Sequence, residues 1–282
     1  MAGVLFINPA AGRGDGNESL REMFRDHKII EAQPQRFSDQ VAAALTEGVD
    51  FVAVAGGDGT IRAAAEELRG GSVPLLPVPG GTRNHFAKDL GIDTFERAAE
   101  TSVAGVVRRI DMGDVNGVGF INNSSLGLYP KLVAEREGRE HRWPKWVANI
   151  AATYEQLRHG RRVEVEVDGT SYRAWMVFVG NGRYGDGLSD LADRGSLDDG
   201  VLDLRVVGAD RALARTRVVL ALLLGRLARS PLVFAATVTS VSLDVERHRV
   251  EVALDGEVEM LEPPLRYRSL PRTLPVLVPP PG

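Results

Sequence analysis

Up to about Val115 the chain alternates short, wholly apolar runs with stretches in which apolar residues recur every three or four positions. Val4–Ile7, Phe51–Ala55 and Val73–Val78 read as buried strands, the last interrupted by Pro74 and Pro77, and Ile29–Phe37 suggests another. Between them, Glu18–Asp26 reads as a helix. Asp39 would cap a second, with Val41, Ala44 and Leu45 on one face. A helix runs on from Thr60 to Arg69 and is closed by Gly70 and Gly71; another ends near Leu90, with Gly91 as its left-handed cap. Strands alternating with helices predict an α/β domain, a mostly parallel sheet with helices on both faces. From Val106 to Leu261 the period changes to two, as in Val163–Val167, Trp175–Val179, Val201–Val207, Val238–Val245 and Val250–Leu254. Asp168-Gly169 and Asp255-Gly256 are hairpin-closing dipeptides. The second part should therefore be an antiparallel β-sandwich, with helical interruptions at Trp146–Arg158 and Arg211–Leu227. The expected division is 1–115 and 116–261. The tail Leu274–Gly282 is proline-rich, and its last residues should be extended or loose.

Composition narrows the classes. The 282 residues are 44% apolar and 26% charged with a net charge of −4, which supplies a core and excludes general disorder. Without cysteine there are no disulfides, iron–sulfur clusters, thiol catalysis or cysteine zinc sites. No apolar run approaches the roughly 20 residues of a membrane span. The longest, Val218–Leu224, is fenced by Arg217 and Arg226. The first residues are already strand-like, so no signal peptide is read and a cytoplasmic protein is expected. The slight acidity argues against nucleic acid as a partner. None of Lys28, Lys88, Lys131 and Lys145 sits in a Walker-type phosphate loop, and no G-x-S-x-G nucleophile elbow occurs.

Two segments carry candidate chemistry. Gly56-Gly57-Asp58-Gly59-Thr60 lies between a strand and a helix, where free amides and the helix dipole favour an anion. Its glycines let the backbone close on phosphate oxygens, Asp58 could hold Mg²⁺ or a water, and Thr60 could bond an oxygen or cap the helix. Pro79-Gly80-Gly81-Thr82-Arg83-Asn84-His85 repeats that arrangement one strand later. Two such loops side by side at the carboxyl ends of a parallel sheet are where open α/β sheets bind ligands.

These motifs, with Asp255-Gly256-Glu257 late in the chain and Asn8-Pro9-Ala10-Ala11-Gly12 at its start, resemble the diacylglycerol kinase catalytic family. His85 stands where that family's motif usually has aspartate, and Gly127-Leu128-Tyr129 replaces a fuller G-x-G segment. The resemblance covers essentially the whole chain. It implies an NAD kinase/diacylglycerol kinase-like fold, with ATP bound in a cleft between an α/β domain and a β-sandwich. It also implies that the last strand segment, 262–282, returns to the first domain. By the same resemblance Gly56, Gly57, Asp58, Gly59, Thr60, Ile61 and Arg62 contact ATP phosphates. Gly81 and Thr82 line the nucleotide site, and Asn84 and Asn8 shape the loops. Glu257 is then the base that takes a proton from a substrate hydroxyl, with Asp255 positioning it or the metal. Asp198-Asp199-Gly200-Val201-Leu202 resembles the family's D-G-x-L segment, which implies a Mg²⁺ held outside the phosphates by Asp199 and the backbone of Ser196 and Val201.

The implied activity is phosphoryl transfer from ATP to a hydroxyl of diacylglycerol or a similar lipid. A nucleotide-binding relative without lipid kinase activity and a kinase of a soluble acceptor such as NAD are the competing classes. Arg211, Arg215, Arg217, Arg226 and Arg229 flank the apolar Val218–Leu224, so transient docking at the inner membrane face is expected of that helix. Exposed edges of an all-β domain would also permit a homodimer. Gly180-Asn181-Gly182-Arg183-Tyr184-Gly185 matches G-x-G-x-x-G, but no helix follows it, so it reads as a glycine-rich loop. The five histidines show no metal-ligand spacing.

Overall fold

In the computed structural model, residues 2–9, 16–127, 162–167, 169–185, 194–208 and 233–281 are described. The helices expected at Trp146–Arg158 and Arg211–Leu227, and with them the basic membrane-docking stretch, lie outside the described residues, as do Ala10–Gly14, Leu128, Tyr129 and Asp168. The chain divides into two units, Met1–Met112 with Leu270–Gly282, and Gly113–Ser269.

The first unit is built on parallel strands β1 (Gly3–Ile7), β2 (Lys28–Glu31), β3 (Phe51–Gly56) and β4 (Leu75–Pro79), in the order β2-β1-β3-β4. β1, β3 and β4 are buried at every position, which is why their sequences are continuous apolar runs. Helices α1 (Gly16–Met23), α2 (Phe37–Thr46), α3 (Asp58–Leu68), α4 (His85–Asp89) and α5 (Phe95–Ala104) connect them. Phe6, Phe24, Phe51 and Phe86 are fully buried, each contributing about 1.5–3 kcal/mol.

Several local expectations change. The second strand ends at Glu31, because Pro34 opens a short 3-10 helix, Pro34–Arg36. Asp39 lies within the first turn of α2 rather than at its cap, which is Arg36 and makes no side-chain bond. Helix α5 was not expected from periodicity; its signal is Thr94, whose side chain accepts the Arg97 amide at 3.1 Å. The proline-rich tail agrees with expectation: it is extended to Val278 and irregular beyond. It belongs to strand β15 (Leu265–Val278), which joins the first unit's sheet beside β4 with Val276 opposite Leu75, and it buries Leu274, Val276 and Leu277.

The second unit is antiparallel. Its strands are β6 (Val118–Phe120), β7 (Asn123–Gly127), β8 (Val163–Val167), β9 (Thr170–Asn181), β10 (Leu202–Gly208), β11 (Val233–Val238), β12 (Ser240–Val245), β13 (Val250–Leu254) and β14 (Glu257–Leu261), together with parts of β5 (Val106–Val115) and β15. Strand order runs β14-β13-β7-β9-β8-β12-β15, and β10 pairs the other edge of β9. Inward residues of these strands share one core, including Leu126, Val165, Val177, Val179, Leu204, Leu243, Val252 and Leu254. The alternating burial of Val163–Val167 is the period-two pattern seen from inside.

In the first unit, His27 stacks edge-on against Phe51 with ring centres 5.1 Å apart, and its Nδ1 accepts the Gly3 amide at 3.4 Å. Burial lowers its pKa from the ordinary 6.5. The unfolded chain then binds more protons than the folded one just below that pH, so stability falls as pH drops through the window beneath 6.5. Chemical denaturation between pH 7 and pH 5 should show this loss, and His27→Gln should flatten it.

Candidate active site

Strand β1 is flanked by β2 on one side and β3 on the other, so the loops leaving β1 and β3 diverge at the carboxyl edge of the sheet. That divergence is the place where parallel sheets open a crevice. Asn8, directly after β1, donates its Nδ2 to Thr60 Oγ1 at 3.0 Å across that opening. Beyond Gly56, the first intrahelical bond of α3 runs from Ile61 N to Gly57 O at 3.1 Å. The amides of Asp58, Gly59 and Thr60 therefore precede the helical ladder, and Gly57 at the cap has no side chain to satisfy them. This is an anion-receptive helix end.

The second glycine loop lies directly against the first. A Cβ placed on Gly81 would stand 2.5 Å from Gly57 Cα and 3.2 Å from Gly57 N, so only glycine permits this approach. Asn84, in the left-handed region at φ 52°, holds the loop closed: its Oδ1 accepts the Gly81 amide and its Nδ2 donates to Gly81 O, both at 2.8 Å. Asp58 ties the two loops together. Its carboxylate accepts the amides of His85 at 3.4 Å and Phe86 at 3.2 Å, the first two residues of α4. The carboxylate expected near the phosphates thus also bridges the two loops, one amide on each oxygen, with further lone pairs on both. Ile61 is fully buried with its amide committed to Gly57, so it presents no group to a ligand, and Arg62 is buried as well. Thr82 is exposed.

In the second unit Asp255 and Gly256 both have positive φ, 52° and 94°, and close the two-residue hairpin between β13 and β14. The Asp255 carboxylate accepts three backbone amides: Ile121 at 2.8 Å, Asn122 at 2.7 Å and Asn123 at 3.0 Å. Charge-assisted bonds of this kind are the stronger ones. They fix the turn to the chain before β7. Glu257 follows at the first position of β14, opposite Leu254 and exposed. The Asp255 carboxylate is thus bonded to backbone, and Glu257 is the exposed carboxylate of the turn.

The Asp199 loop offers a carboxylate and backbone carbonyl oxygens. A Cβ on Gly182 would lie 2.9 Å from Ser196 O and 3.7 Å from Asp199 Oδ1, so these two oxygens border one small space that the glycine leaves open. Val201 O accepts the Gly182 amide at 2.9 Å and keeps a second lone pair. One carboxylate with two carbonyls fits a Mg²⁺ that retains several waters. Among the described residues no group of three or more His, Asp or Glu side chains gathers to hold a metal.

The G-x-G-x-x-G stretch, read from sequence as a mere loop, supplies residues that pattern reasoning missed. Tyr184 is buried; its hydroxyl donates to Asn122 O at 2.8 Å and its amide to Asp203 Oδ2 at 3.1 Å. Asp203 is paired with Arg205 at 2.6 Å, and Arg205 also donates to the carbonyls of Tyr184 and Gly185. Only the buried aspartate and arginine two apart in β10 could have signalled this in advance.

Residues 2–115 match the model of the diacylglycerol kinase catalytic domain, and residues 133–278 that of the YegS C-terminal NAD kinase beta sandwich-like domain. A diacylglycerol kinase of Bacillus subtilis is 31% identical over 275 residues, which cover 90% of this chain and 88% of that protein. The chain belongs to the diacylglycerol kinase catalytic family. A second relative, the "Probable lipid kinase YegS-like" of Citrobacter koseri, is 28% identical over 233 residues, 75% of this chain and 76% of that protein. A crystal structure of a Bacillus anthracis diacylglycerol kinase shares the fold with a TM-score of 0.69 at 23% identity, covering 99% of this chain and 97% of that one. In this family member the two glycine loops of the α/β unit and the Asp-Gly-Glu turn of the β-rich unit are the two built features.

The glycines of the cradle are not equivalent. A Cβ on Gly57 meets only Gly81 Cα at 3.8 Å, an ordinary contact. Gly57→Ala should therefore leave the thermal midpoint nearly unchanged, whereas Gly81→Ala should cost about 1–3 kcal/mol of stability, read by thermal or urea denaturation.

Proposed function

We propose that the protein transfers the γ-phosphoryl group of ATP to a hydroxyl of a diacylglycerol-type lipid. The observation that carries this reading is the cradle formed by Gly57 against Gly81, with the amides of Asp58, Gly59 and Thr60 at the start of α3. Phosphoryl transfer asks little covalent chemistry of a protein; it asks for held phosphates, neutralised charge and a group to take the hydroxyl proton. The amides at residues 58–60 hold the phosphates, while Asn8 and Asn84 keep the two loops in place. Glu257 accepts the proton of the attacking hydroxyl as its oxygen bonds to the γ-phosphorus and ADP departs. Asp255 keeps the turn that carries Glu257 fixed to residues 121–123. Asp199, with the carbonyls of Ser196 and Val201, would hold a Mg²⁺, which supplies positive charge to that loop. Because such a lipid resides in a bilayer, the protein works at a membrane surface.

Incubation with γ-labelled ATP, Mg²⁺ and a mixed lipid extract should place the label in a chloroform-soluble phosphomonoester that co-migrates with phosphatidic acid. Label confined to a water-soluble acceptor would contradict the lipid assignment. Glu257→Gln should lower turnover by about 10²–10⁴-fold while ATP binding, measured by equilibrium dialysis, stays nearly intact. Wild-type turnover in that variant would remove Glu257 from the role of base.

A further inference from the structure

The three amides that hold Asp255 belong to residues whose carbonyls are held just as firmly at their other ends. The peptide group joining Ile121 to Asn122 donates its N–H to Asp255 Oδ1 at 2.7 Å, while its carbonyl accepts Arg194 Nη1 at 2.6 Å and Asn181 Nδ2 at 3.0 Å. The next peptide group, Asn122 to Asn123, donates to the same oxygen at 3.0 Å, and its carbonyl accepts the Tyr184 hydroxyl and the Asn181 amide, both at 2.8 Å. Arg194 reaches further. Its Nη2 donates to Asn122 Oδ1 at 3.1 Å, its Nη1 also to Asn181 O at 3.2 Å, and its guanidinium lies 5.9 Å from the centre of the Tyr184 ring. Tyr184 is itself anchored through Asp203 and Arg205.

Two consecutive peptide dipoles thus run from a guanidinium or phenol at the carbonyl end to one carboxylate at the amide end. Hydrogen bonds in series polarise one another, so each end strengthens the other's hold on the intervening planes. Asn122 and Asn181 are buried, where water competes little for these bonds. The Asp255-Gly256 turn is the only covalent route by which that fixed carboxylate is joined to Glu257, two residues on.

We propose that Arg194, with the Tyr184 hydroxyl, is a positioning residue for phosphoryl transfer: it locks the peptide planes of residues 121–123, and through Asp255 it sets the place of Glu257. The inference rests on the reading of Glu257 as the base. Neither residue touches a reacting atom, so their loss should appear in turnover and leave nucleotide affinity alone.

The test uses the full chain with ATP and dioctanoylglycerol in mixed micelles. Arg194→Met should lower kcat on the order of 10²-fold, the scale on which small misplacements of a catalytic group act. Its ATP dissociation constant should stay within about twofold of wild type, since binding and turnover report different interactions. Arg194→Lys should restore part of kcat, and Arg173→Met, which breaks an exposed pair with Glu164, should leave kcat unchanged. In a Glu257→Gln background, Arg194→Met should add no further loss. Should Arg194→Met not fold, Tyr184→Phe, which removes a single donor, should still lower kcat roughly fivefold with ATP affinity intact. Wild-type kcat in Arg194→Met or Tyr184→Phe, a loss shared equally with ATP affinity, or additivity with Glu257→Gln would each overturn the positioning role. Wild-type turnover in Glu257→Gln alone would instead discard the base assignment, and this inference with it.

Discussion

A carboxylate that receives three backbone amides governs the arrangement of the second unit's candidate chemistry. An Asp-Gly hairpin turn needs no tertiary support, because its two positive φ angles suit those residues. Here the Asp255 side chain is nonetheless committed to Ile121, Asn122 and Asn123, at distances of 2.7–3.0 Å. A surface turn thereby becomes a fixed one. The cost of ordering it is met by charge-assisted bonds, and the exposed Glu257 that follows inherits the order without taking part in them.

The first unit solves a similar problem with a close backbone approach and side-chain-to-backbone bonds. Gly57 and Gly81 approach as closely as they do because Gly81 has no Cβ, and Asn84 and Asp58 close the second loop with side-chain-to-backbone bonds. In both units polar side chains orient peptide groups rather than face solvent. That economy suits phosphoryl transfer, in which preorganised dipoles supply most of what is needed.

Much of this was legible in the sequence, for physical reasons that can be named. Short continuous apolar runs such as Phe51–Ala55, bounded by glycine, suit strands buried on both faces, and a glycine-rich junction after such a run suits a tight strand-to-helix loop. What pattern could not convey was partnership at long range. The bonds of Asp58 to amides 27 and 28 residues away are of this kind: neither its type nor its neighbours announce them. Arg194 and Tyr184 carried no motif at all, since their partners are backbone carbonyls that every residue possesses. Proline argues against a central strand, but Pro275 falls within strand β15, next to Val276, which sits opposite Leu75 of β4. Asn116-Gly117, with φ values of 51° and 91°, was a hairpin signal present in the sequence and overlooked beside the change of period.

In the proposed reaction, direct attack of a lipid hydroxyl on the γ-phosphorus, with Glu257 taking only a proton, leaves no covalent enzyme intermediate. The stereochemistry at phosphorus reports this directly. With ATP made chiral at the γ-position by oxygen isotopes and sulfur, a single in-line displacement yields a lipid thiophosphate of inverted configuration. Inversion is the expected result; retention, which requires two successive displacements through a phosphorylated side chain, would contradict it.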